Sequence, residues 1–221
     1  RRIERLKLQR AMDAERQRIA RDIHDDLGAG LTEITVLSDT LRQDIPPESS
    51  ACATAGKIAA GARSLTRAMD EVVWAVNPGN DTLESFLNYL NDYAQEYLSR
   101  GEISFRWDAP IEIPPLPLSA EIRHNLYLAC KETLNNSTKH ARATEVKISA
   151  ELVPGGFKLG IMDNGHGFQM DAPRSRGSGL RNLKQRLENI GGRCEINSQV
   201  DAGTRVEFVL DNLSSKSNLP G

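Results

Sequence analysis

Cysteine is scarce in this chain of 221 residues: only Cys52, Cys130 and Cys194 are present. Odd in number and far apart, they exclude a disulfide framework or a cysteine-rich metal site. They fit a reducing compartment and read as small buried hydrophobes. No apolar run reaches bilayer length and no leader pattern opens the chain, so a cytoplasmic location is expected. The net charge is only -2, which gives no overall attraction to nucleic acid or to an acidic partner. The first 21 residues depart from this balance, with eight Arg or Lys against three acids. That bias suits a solvated coiled-coil face; it equally suits a fragment that follows a membrane helix, since cytoplasmic flanks carry Lys and Arg. On the second reading an upstream sensor precedes this segment, and the parent protein is anchored in the inner membrane.

Proline is absent from residues 1–44, which hold only two glycines. Apolar residues there recur at helical spacing: Ile19, Ile23, Leu27, Leu31, Ile34 and Leu41. Pro46 and Pro47 break this helix, because proline lacks the N–H and restricts the residue before it. A second helix runs to about Val76, with Ile58, Ala62, Leu65, Met69, Val72 and Val76 forming a heptad seam. Such a hairpin buries its seam best against a second copy, which predicts a homodimeric four-helix bundle.

Beyond Pro78 the pattern becomes mixed. Helices are expected over 82–98, over 119–140 with Ser119 as N-cap, and over 180–190; strands over 103–107, 145–152, 157–162, 193–198 and 205–210. The proline-rich stretch 111–117 reads as a loop and the polar tail from Asp211 as disordered. The fold class is α+β: a helical hairpin over 1–78, an α/β sandwich over 79–212 and a tail over 213–221.

Several elements carry chemistry. His24 lies on the first helix beside Asp25 and Asp26. Glu132, Asn136, Lys139 and His140 are three or four apart, hence on one helix face. A carboxylate and an amide oxygen suit a hard cation such as Mg²⁺, and lysine and imidazole suit phosphate; a solvated polar face would look the same. Asp163 follows a strand and opens D-x-G-x-G with Gly165 and Gly167, where glycine allows close backbone approach to a ligand and the carboxylate can accept from an exocyclic amine. Gly177, Gly179 and Leu180 open a helix whose free amides suit phosphate. The intervening stretch, with Pro173, Arg174 and Arg176, reads as a lid.

In this order and spacing the elements resemble a sensor histidine kinase with a Bergerat-type ATP-binding domain, the type shared with gyrase and MutL; the resemblance covers about residues 15–210. It implies that ATP and Mg²⁺ bind here. Glu132 and Asn136 match the N box, with Glu132 catalytic and Asn136 the Mg²⁺ ligand, and Lys139 and His140 match its phosphate-contacting end. Asp163 matches the adenine-reading aspartate, with Gly165 and Gly167 in its loop. Gly177 and Gly179 match the second glycine box, and Gly203-Thr204 the motif whose threonine helps fix adenine. A phenylalanine-rich F box is not evident. The stretch E-R-Q-R-I-A-R-D-I-H-D-D-L-G and Val73-Trp74-Ala75-Val76-Asn77-Pro78 resemble the HisKA_3-like subgroup paired with LuxR-type response regulators. On that resemblance His24 accepts the γ-phosphoryl group on Nε2, and a response-regulator aspartate receives it next. Asp25 is the expected carboxylate on the other ring nitrogen, by analogy with the serine protease triad. Ala29 stands where the subgroup often carries a glutamine or histidine that orients water, so weak phosphatase activity is expected.

Two other classes share parts of this pattern. A Bergerat-type ATPase that drives conformational change, or an anti-sigma-type serine kinase, needs neither His24 nor the hairpin. A non-catalytic dimeric scaffold needs neither Glu132, Asn136 nor the glycines.

Overall fold

A computed structural model describes residues 2–169, 178–211 and 213, and the chain divides into one unit that ends at Asn80 and another that begins at Asp81. Gly177 and the expected lid fall outside the described residues.

In the first unit, α1 (Arg2–Asp44) and α2 (Ser50–Val76) pack side by side as a hairpin. Ile45 precedes the two prolines that stop α1. The Ser49 side chain then caps α2 by accepting from the Ala51 N–H at 3.1 Å. The contact between the helices is built from small residues: Ala20, Ala55, Ala59, Ala62 and Ala75 are buried, with Ser38 and Met69. Arg63 of α2 bridges to Asp39 of α1 at 2.9 Å. The heptad seam is divided accordingly. Ala62 and Met69 face α1, whereas Ile58, Leu65 and Val72, seven apart, stay exposed. Leu27, Ile34 and Leu41 form a matching exposed stripe on α1.

In the second unit, α3 (Leu83–Ser99), α4 (Ala120–Lys139) and α5 (Ser178–Asn189) cover one face of a five-stranded sheet. Its strands are β1 (Ser104–Asp108), β2 (Glu145–Val153), β3 (Gly156–Asp163), β4 (Arg193–Ser198) and β5 (Thr204–Leu210), in the order β1-β2-β3-β5-β4. β1 and β2 are parallel; the other pairs are antiparallel. Ile148, Ile161, Val206 and Ile196 lie in one row across the sheet and are buried under the helices. Met162 and Arg205, one residue along, are exposed on the other face. This is the α+β architecture that the sequence predicts.

Ser119 caps α4 as its position predicts, accepting from Ile122 N–H at 3.3 Å. The fully buried Arg123 guanidinium pairs with Asp81 and donates to the Leu118 carbonyl at 2.8 Å. A charge at that depth is tolerated because it is paired and hydrogen-bonded. The expected disordered tail does not begin at Asp211, because Arg193 pairs with Asp211 at 2.7 Å. The buried Leu213 donates its N–H to the Gly155 carbonyl at 2.9 Å, tying this residue to the β2–β3 turn. No helix among the described residues is long and apolar enough to cross a membrane.

Candidate active site

His24 projects from the middle of α1 and is exposed. Its Nδ1 lies 3.4 Å from Asp70 Oδ1, a carboxylate supplied by α2. The sequence reading expects Asp25 in that place. Successive helical residues diverge by about 100°, so neighbours on one helix do not naturally face each other, and the carboxylate found against the Nδ1 edge is Asp70 of the facing helix. The ring is 58% exposed and so remains open to solvent beside that contact.

In the second unit, Asp163 ends β3 and is 7% exposed. Its Oδ1 accepts from the N–H of Gly165 at 3.0 Å and of Thr204 at 3.2 Å, and its Oδ2 accepts from the Ser137 hydroxyl at 2.9 Å. Two bonds saturate Oδ1, and one leaves Oδ2 with a free acceptor direction. This aspartate is locked in orientation by three elements: its own turn, the partner strand β5 and helix α4.

Thr204 contributes through its backbone, while its hydroxyl shares a 2.9 Å hydrogen bond with Ser198 Oγ. Ser198 Oγ also accepts from the Phe168 N–H at 2.9 Å. The threonine side chain thus ties β5 to β4.

The glycines after Asp163 are explained by the protein's own backbone. A Cβ on Gly165 would stand 2.4 Å from the Ala141 carbonyl oxygen, where the chain leaves α4. Gly167 has φ +56°, and a Cβ there would meet the Gln199 carbonyl oxygen at 2.1 Å. The sequence reading gives both glycines to ligand approach; the structure uses them to press the loop after β3 against α4 and the β4–β5 turn. His166 N–H donates to Ala141 O at 2.9 Å and Asp201 N–H to His166 O at 2.7 Å, completing that clamp. Asn164 adds to it, its Oδ1 accepting from the N–H groups of Thr144 and Glu145, both at 2.9 Å.

On α4, Glu132 and Asn136 are half-buried one turn apart, and Lys139 is exposed in the last turn. His140 lies just beyond the helix as its C-cap, its N–H donating to Asn136 O at 2.9 Å. Glu132 Oε1 approaches the start of α5 so closely that a Cβ on Gly179 would lie 2.8 Å from it. Leu180 follows, half-buried. The structure therefore brings Glu132, Asn136 and Gly179 to one place, with Asp163 joined to α4 through Ser137.

Sequence reasoning missed Ser137, Ser198, Asn164 and Asp70. Two carry a local signal: Asn164 lies inside the D-x-G-x-G stretch, and Ser137 adjoins Asn136 but falls about 100° further round the helix, on the face toward the sheet. Burial raises the thiols of Cys130 and Cys194, the latter to about 11, so neither is a nucleophile at neutral pH.

Residues 15–81 match a family model described as histidine kinase, and residues 121–214 match that of histidine kinase-, DNA gyrase B- and HSP90-like ATPases. The sensor histidine kinase LiaS of Bacillus subtilis is 26% identical over 196 residues, which are 87% of this chain and 53% of that protein. The sensor protein VraS of Staphylococcus aureus strain COL is 24% identical over 214 residues, 91% of this chain and 57% of that one. The chain thus spans little more than half the length of these relatives. Among solved structures, the blue-light activated histidine kinase of Erythrobacter litoralis EL346 superposes with TM-score 0.57 at 20% identity, covering 87% of this chain and 62% of that one. The histidine kinase AdeS of Acinetobacter baumannii gives 0.51 at 14% identity, with coverage of 84% and 95%. At such identities the likeness is one of fold.

Proposed function

We propose, from the premise that this chain belongs to the sensor histidine kinases with a HisKA_3-type phosphoacceptor region, that it is an ATP-dependent kinase core that phosphorylates His24 and passes the group to a response-regulator aspartate. The observation that carries the reading is the presence, on one chain, of an exposed imidazole whose Nδ1 edge faces a carboxylate and a buried aspartate that, among the described residues, is held by three donors with one acceptor direction open.

In this reading Asp163 accepts from the exocyclic amine of adenine, and the rigid frame around it excludes bases without a donor there. Lys139 and His140 would contact phosphate oxygens, as would Gly179 and Leu180 in the first turn of α5; Gly177, outside the described residues, joins them only as part of the glycine motif. Mg²⁺ fits the donor set: Asn136 and Glu132 offer hard oxygens one turn apart, and among the described residues no side chain hydrogen-bonds the Asn136 amide. Asn136 would hold the ion together with the phosphates; when bound, Mg²⁺ neutralises phosphate charge as it transfers. Glu132 would polarise the reacting groups from the same helix.

A homodimer is part of the reading. The stripes Leu27-Ile34-Leu41 and Ile58-Leu65-Val72 are too apolar to remain in water and repeat every seven residues, as a four-helix bundle requires. The receiving regulator is of the LuxR-output class, and the chain works in the cytoplasm, below a sensor or membrane segment. Incubation with γ-labelled ATP and Mg²⁺, followed by a receiver domain, tests the proposal. Label on the chain that then moves to the receiver supports it. Stable label on serine points to the anti-sigma-type kinase, and tight ATP binding without labelling to the ATPase or the scaffold.

A further inference from the structure

We propose that Asp70, on the second helix, is the positioning residue that fixes the tautomer of His24 and so selects Nε2 as the attacking atom. The inference rests on the kinase reading and adds to it a residue far from the phosphoacceptor motif in sequence.

The packing brings the two together. Gly28 lies four residues after His24, and a Cβ placed on it would meet Met69 Cε at 3.3 Å. The missing side chain lets α2 approach α1 at this level, and the buried Met69 seats against it. Asp70 comes next in the chain, and its Oδ1 lies 3.4 Å from His24 Nδ1. Both side chains remain about half-exposed, at 58% for the ring and 48% for the carboxylate, so the Nε2 edge stays open.

A neutral imidazole carries one N–H. A carboxylate facing Nδ1 favours the form with the proton on Nδ1, which leaves the lone pair on Nε2. In the transfer, that lone pair forms the bond to the γ-phosphorus while the bond from phosphorus to the β,γ-bridging oxygen breaks. ADP departs with those electrons. The proton stays on Nδ1, and the ring gains positive charge opposite Asp70. At rest the two atoms are in contact at 3.4 Å without a formed hydrogen bond, and catalytic contacts of this kind tighten as charge develops.

The test combines tautomer and rate in the ¹⁵N-labelled chain, with His24 assigned by loss of its signals in His24→Gln. Long-range ¹H–¹⁵N spectra of neutral His24, taken without nucleotide, should show mainly Nδ1–H in the parent and mainly Nε2–H in Asp70→Ala. Asp70→Glu should restore part of the Nδ1–H form, and Asp25→Ala should leave the parental form. The kcat of autophosphorylation should fall roughly 10- to 100-fold in Asp70→Ala, with KM for ATP within about twofold. An unchanged tautomer or an unchanged kcat in Asp70→Ala overturns the proposal, as does a tautomer shift in Asp25→Ala. If the parent chain takes no label from ATP, the kinase reading fails, and the spectra still decide whether Asp70 orients the ring.

Discussion

The Ser137 hydroxyl on α4 donates to Asp163 Oδ2 at the end of β3 across 2.9 Å, joining the helix that carries Glu132 and Asn136 to the aspartate proposed to read the base. The link runs through buried residues, so it holds one edge of the carboxylate still and leaves the other lone pair of Oδ2 for the proposed ligand. Ser137→Ala is expected to weaken ATP binding about 3- to 10-fold, the usual worth of one such bond, while the unit stays folded. Isothermal titration with circular dichroism as a control measures it; unchanged affinity would show that Asp163 needs no help from α4.

The loop after β3 allows no side chain where it crosses the end of α4. Gly165→Ala forces a Cβ to within 2.4 Å of the Ala141 carbonyl oxygen, so backbone must move. Overpacking of this kind costs roughly 1–3 kcal/mol. Thermal melts should show a lower midpoint together with lower ATP affinity, because Asp163 and Gly165 share a turn.

The exposed heptad stripes give a prediction about assembly. Leu65→Glu places a charge in the middle of the α2 stripe without touching the alanine contact inside the hairpin. Sedimentation should show a dimer for the parent chain and a monomer of unchanged helix content for the variant.

Glu207 gives a pH signature. Burial would raise its carboxyl, but Lys158 at 2.5 Å and Arg205 at 2.8 Å outweigh that and hold it below the ordinary value of 4.5. A group depressed in the folded state adds stability above its unfolded pKa and loses it as pH falls through its folded one. The parent should therefore be more stable than Glu207→Gln at pH 7, with the gap in melting temperature closing below about pH 4.5.

Ala29 is exposed on α1, four residues after Asp25. A methyl group cannot orient water, so the chain should accelerate loss of aspartyl phosphate from its regulator only weakly. Ala29→Gln should raise that rate in the absence of ADP, read as decay of a labelled receiver domain.

Much of this was legible in the residues. Proline and periodicity mark the hairpin, and Ser119 announces α4. The strands expected over 157–162 and 205–210 are β3 and β5, which pair side by side inside the sheet. What escaped is what arises only when distant segments meet. Asp70 is ordinary in sequence and becomes notable because Gly28 admits α2. Gly165 and Gly167 look like ligand-approach glycines, yet their conformations answer to Ala141 and Gln199, which no local pattern announces. The seam of α2 reads as one stripe, although alanines meet α1 and the larger residues face outward.

The most direct test maps the label. After incubation with γ-labelled ATP and Mg²⁺, the account predicts an acid-labile, alkali-stable phosphoryl group on Nε2 of His24, absent from His24→Gln although that variant still binds ATP. Acid-stable label on a serine or threonine, or label that survives His24→Gln, would contradict it.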